Sequence, residues 1–197
     1  MKVDVDTLCG VVLAGGRGRR MGGKDKGLVA YQGRPLIEHV LQRLQPQLKR
    51  LTININRNQA RYQQYNHPLF SDLWADFRGP LAGIATAFSQ CNADYLLFCP
   101  CDTPQLPDDL VVRLVEAINR QPPSQLAVVE SPRGLQPLFC LMHRSLEPSL
   151  LAYLASGERR VQAWIKQQRP VICHYDSDVP FQNINSLQAL KRVHASG

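Results

Sequence analysis

Apolar residues run almost unbroken over residues 8–14 and again over 95–101, and each run ends in turn-forming residues, Gly15-Gly16 and Asp102-Thr103-Pro104. Such runs predict parallel strands buried on both faces. Elsewhere the apolar period is helical. Pro35 opens a segment whose Leu36, Ile37, Val40, Leu41 and Leu44 make one stripe, and Gly79-Pro80 opens another carrying Leu81, Ile84 and Phe88. Residues 51–55 alternate as a strand, 58–65 predict a helix, and 68–71 a short strand leading to Asp72. A helix starting at Pro107, with Asp108 and Asp109 in its first turn, would place Leu110, Val111, Leu114, Val115 and Ile118 on one face. Residues 126–130 and 138–142 predict two strands joined through Pro132-Arg133-Gly134. Helices over 145–156 and 161–168, a strand over 171–175 and a last helix from Ser186 complete the pattern.

Strands alternating with helices predict an α/β fold: a mainly parallel, twisted, Rossmann-like sheet with helices on both faces. The 197 residues fit a single domain, undivided by repeats, low-complexity tracts or linkers. Sheets of this kind bind ligands just beyond the carboxyl ends of their strands.

Composition narrows the function. The apolar runs are far shorter than the roughly 20 residues that span a bilayer, so no membrane partner is expected. Lys2, Asp4 and Asp6 at the start do not suit a secretory leader, and a cytoplasmic location is the expectation. Six cysteines in such a chain are expected reduced and buried, and the five histidines show no metal-ligand spacing. Lys and Arg total 23 against 16 acidic residues, a net charge of +7 that points to an anionic partner. Five of those cations and one acid fall within residues 17–26. A nucleic-acid groove would interleave stacking aromatics, and this stretch has none, so a compact phosphate group fits better than nucleic acid.

The same stretch belongs to a glycine-rich loop, L-A-G-G-R-G-R-R-M-G-G-K-D-K-G-L over residues 13–28. Three phosphate-loop patterns compete for it. G-x-G-x-x-G fails at Met21, where its third glycine belongs. G-x-x-x-x-G-K-S/T aligns Gly18, Gly23 and Lys24 but then meets Asp25 in place of the hydroxyl that ligates magnesium. The whole loop resembles the L-A-G-G-x-G-x-R-M-G signature, followed by a lysine, of nucleotidyltransferases that join a nucleoside triphosphate to a phosphorylated acceptor. Small residues there let backbone N–H groups approach a triphosphate, while Arg20 and Lys26 offset its charge.

Further landmarks are N-I-N-R-N-Q from Asn54, G-P-L-A-G from Gly79, F-C-P-C-D-T-P from Phe98, G-E-R-R-V from Gly157 and F-Q-N-I-N from Phe181. With the loop, they make nearly the whole chain resemble the molybdenum cofactor guanylyltransferases, the bacterial family that attaches GMP to molybdopterin. The resemblance implies that the backbone of Leu13, Ala14 and Gly15 holds the guanine nucleotide and Lys26 its phosphates. It further implies that Asn54 and Asp72 complete the pocket and that Asp102 binds magnesium. The nucleotide-binding half would span about residues 1–110 and the acceptor-binding half about 111–197. GTP and molybdopterin would be the substrates, with transient contact to proteins of cofactor biosynthesis or to molybdoenzymes.

Several assignments have a physical basis of their own. An aspartate ending a buried strand suits magnesium, which takes one or two carboxylates plus phosphate oxygens. Guanine presents N1–H and N2–H side by side, so one carboxylate can accept both; Asp72 is the candidate reader, with Asp76 behind it. Asn183 and Asn185 share one face of an extended segment and are acceptor or metal candidates. Arg159, Arg160 and Lys166, on a helical surface, suit an anionic pterin or an acidic partner, with solvated surface charge as the default reading. Turn or cap roles also suit Asp102, Asn54 and the Asn183–Asn185 pair. The expected chemistry is in-line attack of a molybdopterin phosphate oxygen on the α-phosphorus of GTP, with Arg20, Lys26 and Asp102 catalytic and no covalent intermediate. The rivals are a sister enzyme using CTP or a sugar 1-phosphate, a P-loop-like kinase, and a nucleic-acid-binding module.

Overall fold

A computed structural model describes residues 2–16, 23–74 and 79–184. In chain order its elements are β1 (Cys9–Leu13), β2 (Ala30–Tyr31), β3 (Arg34–Pro35), α1 (Leu36–Leu44), β4 (Leu51–Asn54), α2 (Gln59–Gln63), β5 (Leu69–Phe70), α3 (Pro80–Gln90), β6 (Tyr95–Pro100), α4 (Leu110–Arg120), β7 (Leu126–Ser131), β8 (Gly134–His143), α5 (Glu147–Ala155), α6 (Val161–Gln167) and β9 (Val171–His174). One seven-stranded sheet runs in the order β5-β4-β1-β6-β8-β7-β9. Its neighbours are parallel except at β8, which is antiparallel to both β6 and β7.

Side chains of successive strand residues point to opposite faces, and each face has its own helical layer. Val12, Leu97, Cys99, Ala127 and Val129 pack with α1, α4 and Tyr62 of α2. Val11, Leu13, Leu96, Phe98 and Val128 pack with α3, α5 and α6, where Trp164 is fully buried. The six cysteines are free and buried. Among the described residues no helix is long and apolar enough to cross a membrane.

Some boundaries differ from the sequence expectation. The helix expected from Pro107 begins at Leu110, with Asp109 at its N-cap position and not inside the first turn, its carbonyl accepting the Arg113 N–H at 3.0 Å. Asp108 pairs with Arg43, and Asp109 accepts from Tyr175 Oη at 2.9 Å. The strand expected over 138–142 runs from Gly134 to His143. Pro137 interrupts its pattern but falls where the register jumps: Val128 opposes Cys140 while Val129 opposes Gln136, so Pro137 lies in a bulge that needs no ladder donor. The β2–β3 ribbon was not expected; it turns through Gln32 and Gly33, both at positive φ. Arg160 precedes α6 and Arg159 lies beside it, so these two are loop residues, while Lys166 is on the helix. Arg20, Asp76, Asn185 and the helix expected from Ser186 lie outside the described residues.

Candidate active site

From β1 the chain builds outward through β4 to β5, then returns to place β6 on the other side of β1. Strand order reverses there, and the carboxyl ends of β1, β4 and β6 open into a crevice, the usual ligand position in such sheets. A cavity of about 500 Å³ occupies it. Leu13, Ala14, Gly15 and Gly16 line it from the end of β1, Asn54 from β4, Asp72 from beyond β5, and Asp102 from beyond β6; Lys26 and Asn183 complete the polar lining. The structure therefore brings together Leu13, Ala14, Gly15, Lys26, Asn54, Asp72, Asp102 and Asn183, whereas Arg159, Arg160 and Lys166 do not line this cavity.

On the β6 side, Asp102 is 3% exposed and forms an ion pair through Oδ2 with Lys26 Nζ. A carboxylate this deeply buried needs such a partner. The Asp102 carbonyl accepts the Ile184 N–H at 2.9 Å, which fixes the chain around Asn183 against this end of the cavity. Lys24 differs from Lys26: it is exposed and is not part of the cavity lining. The kinase-loop pattern rested on Lys24.

On the β4 side, Asp72 is held by two amides. Asn54 Nδ2 donates to Oδ1 at 2.9 Å and Asn56 Nδ2 to Oδ2 at 2.8 Å. Burial pushes the Asp72 carboxyl above its ordinary pKa, while the Asn56 and Asn54 hydrogen bonds oppose the rise by favouring the charged form. Asn54 is 2% exposed and wedged between two glycines. A Cβ at Gly15 would lie 2.8 Å from Asn54 Oδ1, and one at Gly83 2.6 Å from it, so only hydrogen fits at either position without displacement.

The loop's far end is anchored by residues that sequence reasoning did not use. Arg57 donates from Nη1 to the Gly23 carbonyl at 2.6 Å and from Nη2 to the Lys24 carbonyl at 2.8 Å. Asp25 turns inward, accepting from Tyr62 Oη at 2.7 Å and Asn58 Nδ2 at 3.0 Å. Burial first, then Cys101 and Asp25, push the Tyr62 phenol far above its ordinary range, so it remains a donor. These contacts seat Lys26, one residue on. The N-I-N-R-N-Q motif contained Asn56, Arg57 and Asn58, but only Asn54 was read as functional; their partners lie 33 to 41 positions away in sequence, except for the Asn56–Asp72 contact, which spans 16.

A mostly parallel sheet whose switch-point crevice holds a glycine-rich strand end, a lysine–aspartate pair and an amide-held carboxylate defines a nucleotide-binding α/β enzyme. Comparison with known proteins places it more narrowly. Residues 10–171 match the MobA-like NTP transferase domain, and the chain belongs to that family. It is 46% identical over 186 residues to a Pasteurella multocida protein named molybdenum cofactor guanylyltransferase, covering 94% of this chain and 98% of that one. The fold is shared with the crystal structure of molybdopterin-guanine dinucleotide biosynthesis protein A from Archaeoglobus fulgidus, at a TM-score of 0.75, 21% identity and coverage of 95% and 99% of the two chains. A Mycobacterium tuberculosis structure complexed with manganese shares it at a TM-score of 0.68, 15% identity and coverage of 97% and 100%. The protein is thus a nucleotidyltransferase, as the loop signature implied.

Proposed function

We propose that the protein transfers GMP from GTP to molybdopterin, forming the guanine dinucleotide cofactor and pyrophosphate. The observation that carries this reading is the arrangement of one crevice: Asp72 fixed by amides on the β4 side, the Lys26–Asp102 pair on the β6 side, and the glycine-rich end of β1 between them. The near full-length likeness to a protein named for this activity supports the same substrates.

In this reading, the backbone at Leu13, Ala14 and Gly15 holds the nucleotide, and Asn54 and Asp72 bound its base pocket. Lys26 neutralises the phosphates, joined by Arg20, whose role rests on the loop signature. A phosphate oxygen of molybdopterin forms a bond to the α-phosphorus, the bond to the bridging oxygen breaks, and pyrophosphate carries away that electron pair. The acceptor oxygen is already ionised near neutral pH, so no dedicated base is required. Asn183, and by the same pattern Asn185, serve the acceptor side. Asn183 also lines a second recess of about 310 Å³ with Arg133, Gln136 and Phe181, which suits an acceptor half over residues 111–197 opposite a nucleotide half over 1–110.

A divalent cation fits the same end of the crevice. Asp102 offers a buried carboxylate, and the adjacent Cys101 is held protonated because burial pushes its thiol well upward, which leaves oxygen donors suited to a hard ion such as magnesium. Asp102 would hold it, and when bound it would neutralise charge developing on the phosphates. Contacts with cofactor-biosynthesis or molybdoenzyme proteins, in the cytoplasm, follow from the same reading.

Pyrophosphate release with GTP, CTP, UTP or ATP, in the presence of molybdopterin, tests the proposal. GTP is expected to be the preferred substrate, and Asp72→Ala is expected to narrow that preference by about 10- to 100-fold, as for hydrogen bonds lost from a charged acceptor. A preference for CTP that survives Asp72→Ala would refute the guanine assignment.

A further inference from the structure

Beside the crevice, in contact with Gly15 and Asp72 of its lining, stands a side chain that no part of this reaction yet explains. Asn56 follows β4 by two residues and uses its amide three times. Nδ2 donates to the Gly15 carbonyl at 2.7 Å and to Asp72 Oδ2 at 2.8 Å, and Oδ1 accepts the Asp72 backbone N–H at 2.9 Å. These partners fix the amide's orientation: two oxygens require the NH₂ end and one N–H requires the carbonyl end. Both protons of the NH₂ group are in use, and they reach two segments of the crevice 57 positions apart, Gly15 and Asp72.

We infer that Asn56 is the positioning residue that sets the base-reading carboxylate and the phosphate-binding peptide in one fixed relation. The inference rests on Asp72 as the guanine reader. An ionised carboxylate has about four lone-pair sites. Asn54 takes one on Oδ1 and Asn56 one on Oδ2, so the group is oriented from behind while each oxygen keeps capacity for a further donor. Two adjacent donors of a purine edge need that pair of sites, and a carboxylate held at one oxygen only is free to swing. At the other contact, the peptide is planar and trans, so tying down the Gly15 carbonyl also fixes the Gly16 N–H, pointing away from Asn56. Gly16 lines the cavity, and its peptide is one that a phosphate would meet. One amide thus aligns the two ends of a nucleotide-sized site before any ligand arrives, which lowers the ordering cost of binding.

The test is equilibrium binding of GTP and of ITP, which keeps N1–H but lacks the 2-amino group, to wild type, Asn56→Ala, Asn56→Asp and Asp72→Ala. Asn56→Asp is isosteric and sets an acceptor against the Gly15 carbonyl and Asp72, so it probes hydrogen bonding without opening a cavity. Wild type is expected to favour GTP over ITP, and Asp72→Ala to lose that preference. Both Asn56 variants are expected to weaken GTP binding by about 10-fold and to bring the GTP-to-ITP ratio close to that of Asp72→Ala. Their melting temperatures should move by less than about 4 °C. A wild-type ratio in the Asn56 variants, with the ratio lost in Asp72→Ala, overturns the inference and leaves the guanine reader standing. Equal weakening of GTP and ITP together with a lower melting temperature also overturns it, by making Asn56 a structural residue. A ratio unchanged in Asp72→Ala itself overturns the guanine reader and the inference with it.

Discussion

Asp102→Asn is expected to reduce turnover by about 100- to 1,000-fold, the range for losing one electrostatic stabiliser of a transition state, with little change in melting temperature. The substitution keeps the side chain's shape, and the backbone contact from Ile184 N–H to the residue 102 carbonyl does not depend on the side chain. What is lost is the negative charge in a nearly sealed position beside Lys26. Two polyanions must meet in this crevice, so the group proposed to hold the cation has an effect far beyond that of a surface charge. Steady-state pyrophosphate release, with magnesium varied at saturating GTP, checks this. Loss of turnover that higher magnesium does not restore supports the assignment, and near wild-type turnover contradicts it.

Gly15→Ala is expected to have the second largest effect, a fall of about 100-fold in kcat/KM for GTP, comparable to a displacement of about 1 Å at a reacting site. The added Cβ would lie 2.7 Å from Asn56 Nδ2 and 2.8 Å from Asn54 Oδ1, closer than side-chain carbons approach such atoms. Relief requires moving the two amides that hold Asp72. Asn54 has little room, because Gly83 confines the same oxygen from the other side. One methyl group at the end of β1 therefore displaces the carboxylate assigned to the base. GTP kinetics of the variant, with circular dichroism to confirm folding, measure it; kcat/KM within twofold of wild type would show that the amides do not position the site.

Residues whose surroundings are local were legible from the sequence. The two buried runs became β1 and β6, and Gly15, Gly16 and Asp102 from the turns that end them line the crevice, because a strand buried on both faces leaves its signature in consecutive residues. Asp102 was readable for the same reason. Asp25 was not: the sequence showed it only as a mismatch to the hydroxyl of the kinase-loop pattern, yet its side chain turns inward to Tyr62 and Asn58, residues far along the chain. Arg57 was missed likewise, since its task is to hold carbonyls of the loop and no periodicity records that. The strand expected over 138–142 starts four residues earlier, at Gly134, and only the pairing of β7 with β8 reveals the bulge that accommodates Pro137 and its missing donor.

The most direct measurement of the central claim is a crystal structure of the protein with GTP and magnesium. The account predicts the triphosphate against the backbone of residues 13–16 and Lys26, the guanine N1–H and N2–H on the Asp72 carboxylate, and the metal on Asp102. A nucleotide seated instead in the separate cavity of about 440 Å³ between Tyr31, Arg34 and Asp108, or bound in the crevice with its base away from Asp72, would contradict it.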